Sequence, residues 1–164
     1  GRLSTETQLA LTLSDRARLL VRMKQFELAE PDLARAVALD ETMMRENYRI
    51  KHAWTLVHLG KHREAVAETR AAVAAMSGHG RGQSFGSYTM TGARTFAVAI
   101  SQAQNDALLS PEERDAAAKD YSQAALDLIR QILKSNPDSA AALRDCEEFE
   151  PLRTLPEFAT LFAQ

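Results

Sequence analysis

The 164-residue sequence contains a single cysteine, Cys146. A disulfide within the chain is therefore impossible, and a zinc site built on several cysteines is excluded. Long apolar runs are also missing, since no stretch reaches the roughly 18 consecutive apolar residues that a membrane-spanning helix needs. Charge of one sign does not dominate either, because 20 Lys and Arg stand against 22 Asp and Glu. This balance argues against a chain built mainly to coat nucleic acid.

Residues that favour β-strands are scarce. The sequence has only 6 Val and 4 Ile, against 28 Ala and 20 Leu. Ala and Leu are strong helix formers, whereas β-branched residues favour strands. The composition therefore predicts an all-α fold. So many small side chains also favour helices that approach each other closely, as in stacked helical hairpins.

The alanines repeat with a fixed spacing. A shift of 36 residues aligns four pairs of small or apolar residues: Ala17 with Ala53, Leu20 with Leu56, Ala29 with Ala65, and Ala36 with Ala72. Each unit is predicted to be a helix, a short turn and a second helix, over residues 5–39 and 41–77. A third pair, over 87–135, has a connection predicted to be about 19 residues longer. A repeat of 20–50 residues is typical of a helical solenoid.

This pattern resembles the tetratricopeptide repeat. The small and bulky positions of that family's first helix match Ala17, Ala53 and Ala93, followed by Leu20, Leu56 and Phe96. Those of its second helix match Phe26 and Tyr121, then Ala29, Ala65 and Ala124, then Ala36 and Ala72. The turn glycine is Gly60, with Lys24 in its place in the first unit. His62, Gln131 and the missing opening tryptophan depart from the pattern. The resemblance implies a right-handed superhelix of about three helix pairs, capped by short helices over 137–164, all forming one domain.

The tail has a second resemblance. Residues 145–161 are similar to the end of the helical-repeat region of multidomain bacterial serine/threonine kinases, although Cys146-Glu147-Glu148 replaces an expected Pro-Asp pair. This resemblance implies a place C-terminal to a kinase domain. Because the chain opens on Gly1, we expect it to be part of a longer protein. None of the kinase motifs is present in this sequence, so we expect no kinase activity from it. We expect a cytoplasmic location, although the parent protein could be membrane-anchored.

Local signals predict where the helices begin. A capping box between Thr5 and Gln8 marks the first start, Pro31 places the second near Glu30, and Asp40 is the expected N-cap of the third. Ser110-Pro111-Glu112-Glu113 predicts a capped start of the long helix. The glycine-rich residues 77–87 predict a flexible loop, followed by a helix from Ser87.

Four features could carry chemistry, and each favours a simpler interpretation. His58 and His62 have metal-ligand spacing but flank Gly60, so we expect two surface histidines. The glycine-rich loop has no P-loop lysine, although Arg81 and His79 could touch an anion. Acidic neighbours should raise the pKa of Cys146 and leave it inert. Glu147, Glu148 and Glu150 indicate a solvated acidic turn. We expect no catalytic residues, no metal and no cofactor.

The concave face of the expected superhelix is the better candidate site. The repeat register places on it Ser14, Arg18, Val21 and Arg22, then Asn47, Ile50, Trp54 and His58, then Met90, Arg94, Ala97 and Val98. The predicted contacts to a partner are Arg18, Arg22, Asn47, Trp54, His58, Met90 and Arg94. Guanidinium groups bind carboxylates through two points, and Trp and Arg are frequent interface anchors. We expect a protein partner, through an acidic or C-terminal peptide. Alternatively, Trp54 is core, the arginines form local ion pairs, and the domain is a homo-oligomerisation or spacer module.

Overall fold

The computed structural model describes residues 4–77 and 83–163 of the chain. Every regular element in these two ranges is helical, which confirms the predicted all-α class for them. The α-helices are α1 (Thr5–Arg22), α2 (Phe26–Leu39), α3 (Met44–His58), α4 (His62–Ser77), α5 (Gln83–Gln104), α6 (Pro111–Ser135), α7 (Ala140–Asp145) and α8 (Pro156–Thr160). Two 3-10 turns, Pro137–Ser139 and Glu147–Leu152, flank α7.

The chain divides into two compact units, residues 1–80 and 81–164. In the first unit, α1 packs on α2, α2 on α3, and α3 on α4. In the second unit, α5 packs on α6 and on the 3-10 turn Glu147–Leu152. The helices therefore pair mainly with their neighbours in sequence. The first two predicted repeats lie in unit 1, and the third pair and the C-terminal segment lie in unit 2.

Small side chains form the helix contacts of unit 1. The repeated alanines have no exposed surface at all: Ala17, Ala29, Ala36, Ala53, Ala65 and Ala72. Larger apolar side chains fill the space around them. Leu33 packs with Ala17 and Ala29, and the partly buried Leu20 and Val21 cover this cluster. Because an alanine keeps two helix backbones close, the 36-residue pattern has a direct packing reason.

The two helix turns of unit 1 share one backbone conformation. Lys24 has φ 58° and Gly60 has φ 76°, the only positive values in the described residues. The hydrogen bonds also match at a shift of 36 residues, because Lys24 N donates to Val21 O and Gly60 N donates to Val57 O. The local geometry thus repeats even where lysine replaces glycine.

Helix α1 begins at Thr5, where the first unit was predicted to begin, but the predicted caps of α1 and α3 and the predicted start of α2 were wrong. The N-cap of α1 is Ser4, not Thr5, because Ser4 Oγ accepts from Thr7 N at 3.1 Å. Helix α2 begins at Phe26 and continues through Pro31, which stands inside it. Asp40 precedes α3 by four residues, and its Oδ1 accepts from Thr42 N at 2.7 Å. Asp40 therefore stabilises the turn between α2 and α3 rather than the helix end.

In unit 2, α6 begins where the sequence predicted, whereas α5 begins earlier than predicted. Ser110 Oγ accepts a hydrogen bond from Glu113 N, and the carboxylate of Glu113 accepts one from Ser110 N. This reciprocal pair confirms the capping box of α6. Helix α5 begins at Gln83, so residues 83–87, predicted as loop, are helical, while 78–82 lie outside the described residues. Only residues 105–110 separate α5 from α6, so the longer spacing between the repeat positions of this pair does not come from a longer loop. Longer helices account for the extra residues.

The C-terminal segment over 137–164, which was predicted to cap the helix pairs, is deeply packed. Leu143, Phe149 and Leu152 have no exposed surface, and Phe158 is 5% exposed. Phe149 and Leu152 lie on the 3-10 turn Glu147–Leu152, which the sequence interpretation missed. Because this turn packs on α5, the segment completes the core of unit 2.

Candidate binding surface

Two helices of unit 1 carry most of the predicted groove residues. Helices α1 and α3 are brought together by Tyr48, which packs with Ala10 and Ala36 in one buried cluster. A polar contact reinforces this packing, because Lys51 Nζ donates to Ser14 Oγ at 3.0 Å. Arg18 and Arg22 follow Ser14 by one and two turns of α1, and Trp54 and His58 follow Lys51 by one and two turns of α3. These side chains therefore lie on the sides of the two helices that meet at this contact. We call the set Arg18, Arg22, Lys51, Trp54 and His58 the α1/α3 face.

Lys51 links the two helices of this face through its bond to Ser14, and the sequence interpretation missed it. Its ammonium is 5.8 Å from the centre of the Tyr48 ring. Burial lowers the pKa of Lys51, Asp15 opposes that decrease, and Arg18 adds to it. The charges of Asp15 and Arg18 therefore act on the ammonium of Lys51. The helical period was an available signal, because Lys51 lies three residues before Trp54 and seven before His58.

The two aromatic side chains of the face, Trp54 and His58, contact each other and are supported by Phe26 of α2. The ring centres of Trp54 and His58 are 4.3 Å apart in an edge-to-face arrangement. His58 in turn lies flat against Phe26, with centres 4.4 Å apart and planes 8° apart. Trp54 is half-buried and His58 is exposed. The rings therefore hold each other in place and still present an aromatic edge to solvent.

The arginines of α1 are on the surface. Arg18 Nη2 lies 3.4 Å from Asp15 Oδ1, and both side chains are 59% exposed. A pair this exposed contributes little to stability. Arg22, one helical turn further, is also exposed. Both guanidinium groups can therefore reorient towards an incoming carboxylate.

Other predicted groove residues do not reach the surface. Ser14, Asn47 and Ile50 are buried within unit 1, at 1%, 9% and 2% exposure. These three side chains contribute to helix packing and are therefore not part of the α1/α3 face. Burial of a polar side chain such as Asn47 has no strong signal in a single sequence.

The predicted contacts Met90 and Arg94 belong to α5 of unit 2. Met90 is half-buried. Arg94 Nη2 donates to Oε1 of Glu148, on the 3-10 turn Glu147–Leu152. Arg94 is therefore held in an ion pair, but not in the local kind that was the alternative for the arginines; the local pair is Arg18 with Asp15. The partner of Arg94 lies 54 residues away, too far for sequence reasoning to find.

Glu148 also forms a hydrogen bond with Cys146. Cys146 Sγ donates to Glu148 Oε2 at 3.1 Å. Partial burial acts to raise the pKa of Glu148, but the hydrogen bonds from Arg94 and Cys146 outweigh it and lower the pKa to about 2. Burial and then Glu148 raise the pKa of the Cys146 thiol to about 11, which confirms the predicted direction. The expected solvated acidic turn was wrong at Glu148, although Glu147 and Glu150 are exposed.

The remaining candidate features have these positions. His58 is exposed, but His62 is 5% exposed, so the prediction of two surface histidines was wrong for His62. Arg81 and His79 lie outside the described residues. Within 4–77 and 83–163, no group of three or more His, Cys, Asp and Glu side chains is placed to hold a metal ion.

Comparisons of the chain with protein-family models, curated proteins and solved structures find no match. The tetratricopeptide and kinase-region resemblances therefore stay predictions from the sequence. None of the described helices is both long enough and apolar enough to cross a membrane.

Proposed function

We propose that this chain is a non-catalytic protein-binding module and that its α1/α3 face receives an acidic peptide segment of a partner. One observation carries the proposal. Trp54 is half-exposed, packs against His58 and lies one helical turn after Lys51, which bonds α1 one turn before Arg18. Tryptophan and arginine side chains are frequent in the hot spots of protein interfaces. Asp15 is the acidic group next to Lys51 and Arg18, so the face remains net positive on a chain whose net charge is −2.

The wider context of this module is also a proposal. The residues that resemble the tetratricopeptide repeat support a solenoid of helix pairs, and the matching turns at Lys24 and Gly60 are consistent with it. The tail over 145–161 supports a place in the helical-repeat region of a bacterial serine/threonine kinase. In that setting the module would recruit substrates or regulators in the cytoplasm, and it would need no cofactor.

Trp54 provides a direct test, because it is the only tryptophan in the chain. The probe is a short peptide of alternating Glu and Leu with a free C-terminal carboxylate, and the reference peptide has Gln in place of Glu. We expect the Glu peptide to change Trp54 fluorescence in a saturable way, and the Gln peptide to leave it unchanged. The effect should weaken as salt rises, since exposed charges are screened.

Matched charge reversals locate the site. Arg18→Glu with Arg22→Glu should remove binding, because both substitutions lie on the α1/α3 face. Arg35→Glu with Arg45→Glu changes the net charge equally at two exposed positions of unit 1. Arg45 is nine residues from Trp54, which places it on the opposite side of α3. Equal loss of binding in both double variants would contradict the proposal, as would a Gln peptide that binds as well as the Glu peptide.

A second function, self-association, is favoured by exposed apolar side chains. Leu19, Met23 and Leu28 of unit 1 are 54%, 64% and 59% exposed. Sedimentation equilibrium of the chain measures this directly. A mass above one chain that falls to one chain in Leu19→Ser with Met23→Ser would establish a homo-oligomerisation module. A single-chain mass at high concentration would remove that alternative.

A further inference from the structure

Unit 2 contains a cleft that the proposed peptide surface does not use. Its volume is about 640 Å³, within the range that is typical of small-ligand sites. The cleft lies among α6, α7 and the residues that follow α8. Three cationic side chains line it: Arg130, Lys134 and Arg144. No carboxylate side chain is among its described lining residues, although the chain as a whole is net acidic.

Helix geometry concentrates these three cations. Arg130 and Lys134 are one turn apart on α6, so both project from the same face. Arg144 lies in the last turn of α7, and its guanidinium carbon is 5.4 Å from the centre of the Phe162 ring. Such stacking orients a guanidinium while its N–H groups stay available. Asp127 contacts one nitrogen, Nη1, of Arg130 at 2.6 Å, so it offsets part of one charge outside the cleft.

The rest of the wall is apolar and firmly anchored. Leu133, Leu161 and Phe162 contribute apolar surface to the cleft. The ring of Phe162 packs edge-to-face on Phe158 at 5.1 Å, and Phe158 packs on Phe149 at 6.4 Å. Because Phe149 is fully buried, this line of rings ties the cleft wall to the core of unit 2.

We propose that this cleft binds a phosphomonoester whose organic part is apolar or aromatic. A phosphate monoester carries a charge of about −1.5 to −2 and three acceptor oxygens. Two guanidinium groups and one ammonium match that charge and number of acceptors, whereas a single carboxylate offers one charge and two oxygens. The apolar wall beside the cations accommodates the organic part. This site lies in unit 2, so the proposal is tested independently of the peptide surface proposed on unit 1.

Isothermal titration calorimetry of the whole chain with phenyl phosphate tests the proposal. Inorganic phosphate and benzyl alcohol serve as the two partial probes. We expect phenyl phosphate to bind more tightly than either, since each lacks one half of the complementary chemistry. A short peptide with a central phosphotyrosine identifies the source of the group. Tighter binding of the peptide supports a phosphorylated protein, and tighter binding of phenyl phosphate supports a small molecule.

Two variants and one control place the ligand. Lys134→Gln and Arg144→Gln should each weaken phenyl phosphate binding by about tenfold or more, because each removes a charge-assisted hydrogen bond. Lys119→Gln makes the same charge change at an exposed position of α6, about 22 Å along the helix from Lys134. It should leave binding unchanged. The proposal is overturned if phenyl phosphate does not bind, if inorganic phosphate binds equally well, or if the control weakens binding as much as the cleft variants do.

Discussion

Lys24 and Gly60, 36 residues apart, occupy the same place in two successive helix turns and share a positive φ, 58° and 76°. The residue after each one also forms the equivalent hydrogen bond, from Gln25 N to Leu20 O and from Lys61 N to Leu56 O. Glycine adopts this conformation without strain, whereas a residue with a Cβ does not. The first turn therefore keeps the repeat geometry with a less suitable residue.

Exchanging these residue types should change stability in opposite directions. Gly60→Ala should lower the free energy of unfolding by about 1 kcal/mol, because the left-handed strain exceeds the entropic gain. The space around Gly60 is open, so the effect is one of backbone conformation alone. Lys24→Gly should raise it by about 0.5–1 kcal/mol. Urea unfolding followed by Trp54 fluorescence measures both, and changes of the same sign would contradict an equivalent role.

Pro31 stands in the sixth position of α2 and weakens that helix. An ordinary residue there would donate its N–H to the carbonyl of Glu27, and proline has no such donor. Alanine also favours the helix more than proline does, but it makes the unfolded chain more flexible, which offsets part of the gain. Pro31→Ala should therefore raise the free energy of unfolding by roughly 1–3 kcal/mol. Arg35→Ala on the same helix is the control. An unchanged or lower stability in Pro31→Ala would show that the proline fits α2 without loss.

The Arg94–Glu148 ion pair should make unit 2 sensitive to acid. The pKa of Glu148 is about 2 when folded, below its ordinary value of 4.5. Between these values the unfolded state binds more protons, so stability present at neutral pH is lost as pH falls from about 4.5 towards 2. Glu148→Gln should cost about 1–3 kcal/mol at pH 7.

Circular dichroism during urea unfolding at several pH values follows this loss. The difference between the parent chain and Glu148→Gln should shrink as pH falls through that window. Glu147→Gln, at the exposed neighbouring position, should show no such dependence. A difference that stays constant with pH would mean that Glu148 acts through packing rather than charge.

Cys146 should react slowly with alkylating reagents. Its pKa of about 11 leaves little thiolate at pH 8, and the thiolate is the reactive form. We expect iodoacetamide to modify it roughly ten- to a hundredfold more slowly than it modifies a small free thiol. Glu148→Gln should accelerate the reaction, because it removes the adjacent negative charge. Equal rates in the two proteins would show that burial alone protects the sulfur.

Local chemistry was predictable from the sequence to a large extent. The capping box at Ser110 and the buried alanines such as Ala17 depend on residues a few positions apart or on a regular period, and both were found. The start of α2 was missed because the intrinsic effect of Pro31 was given more weight than the packing of residues such as Ala29. Tertiary contacts commonly override such propensities.

Contacts between distant segments were not predictable. Nothing near Arg94 in sequence indicates that Glu148 reaches it, and the buried turn around Phe149 has no helical period to reveal it. The candidate face shows the same division. Trp54 and Arg18 were found from the repeat register, but the burial of Asn47 and the bond from Lys51 to Ser14 depend on how α1 and α3 meet.

The order of helix packing in unit 1 also bears on how it reaches its native state. The four helices described between residues 4 and 77 are joined by connections of only a few residues, 23–25, 40–43 and 59–61, and each helix packs on the next. Little chain must be closed before each contact forms, so the entropic barrier is low. Proteins with such local topology fold within microseconds to milliseconds. A nascent chain emerging from the ribosome could therefore assemble this unit one hairpin at a time, before unit 2 is synthesised.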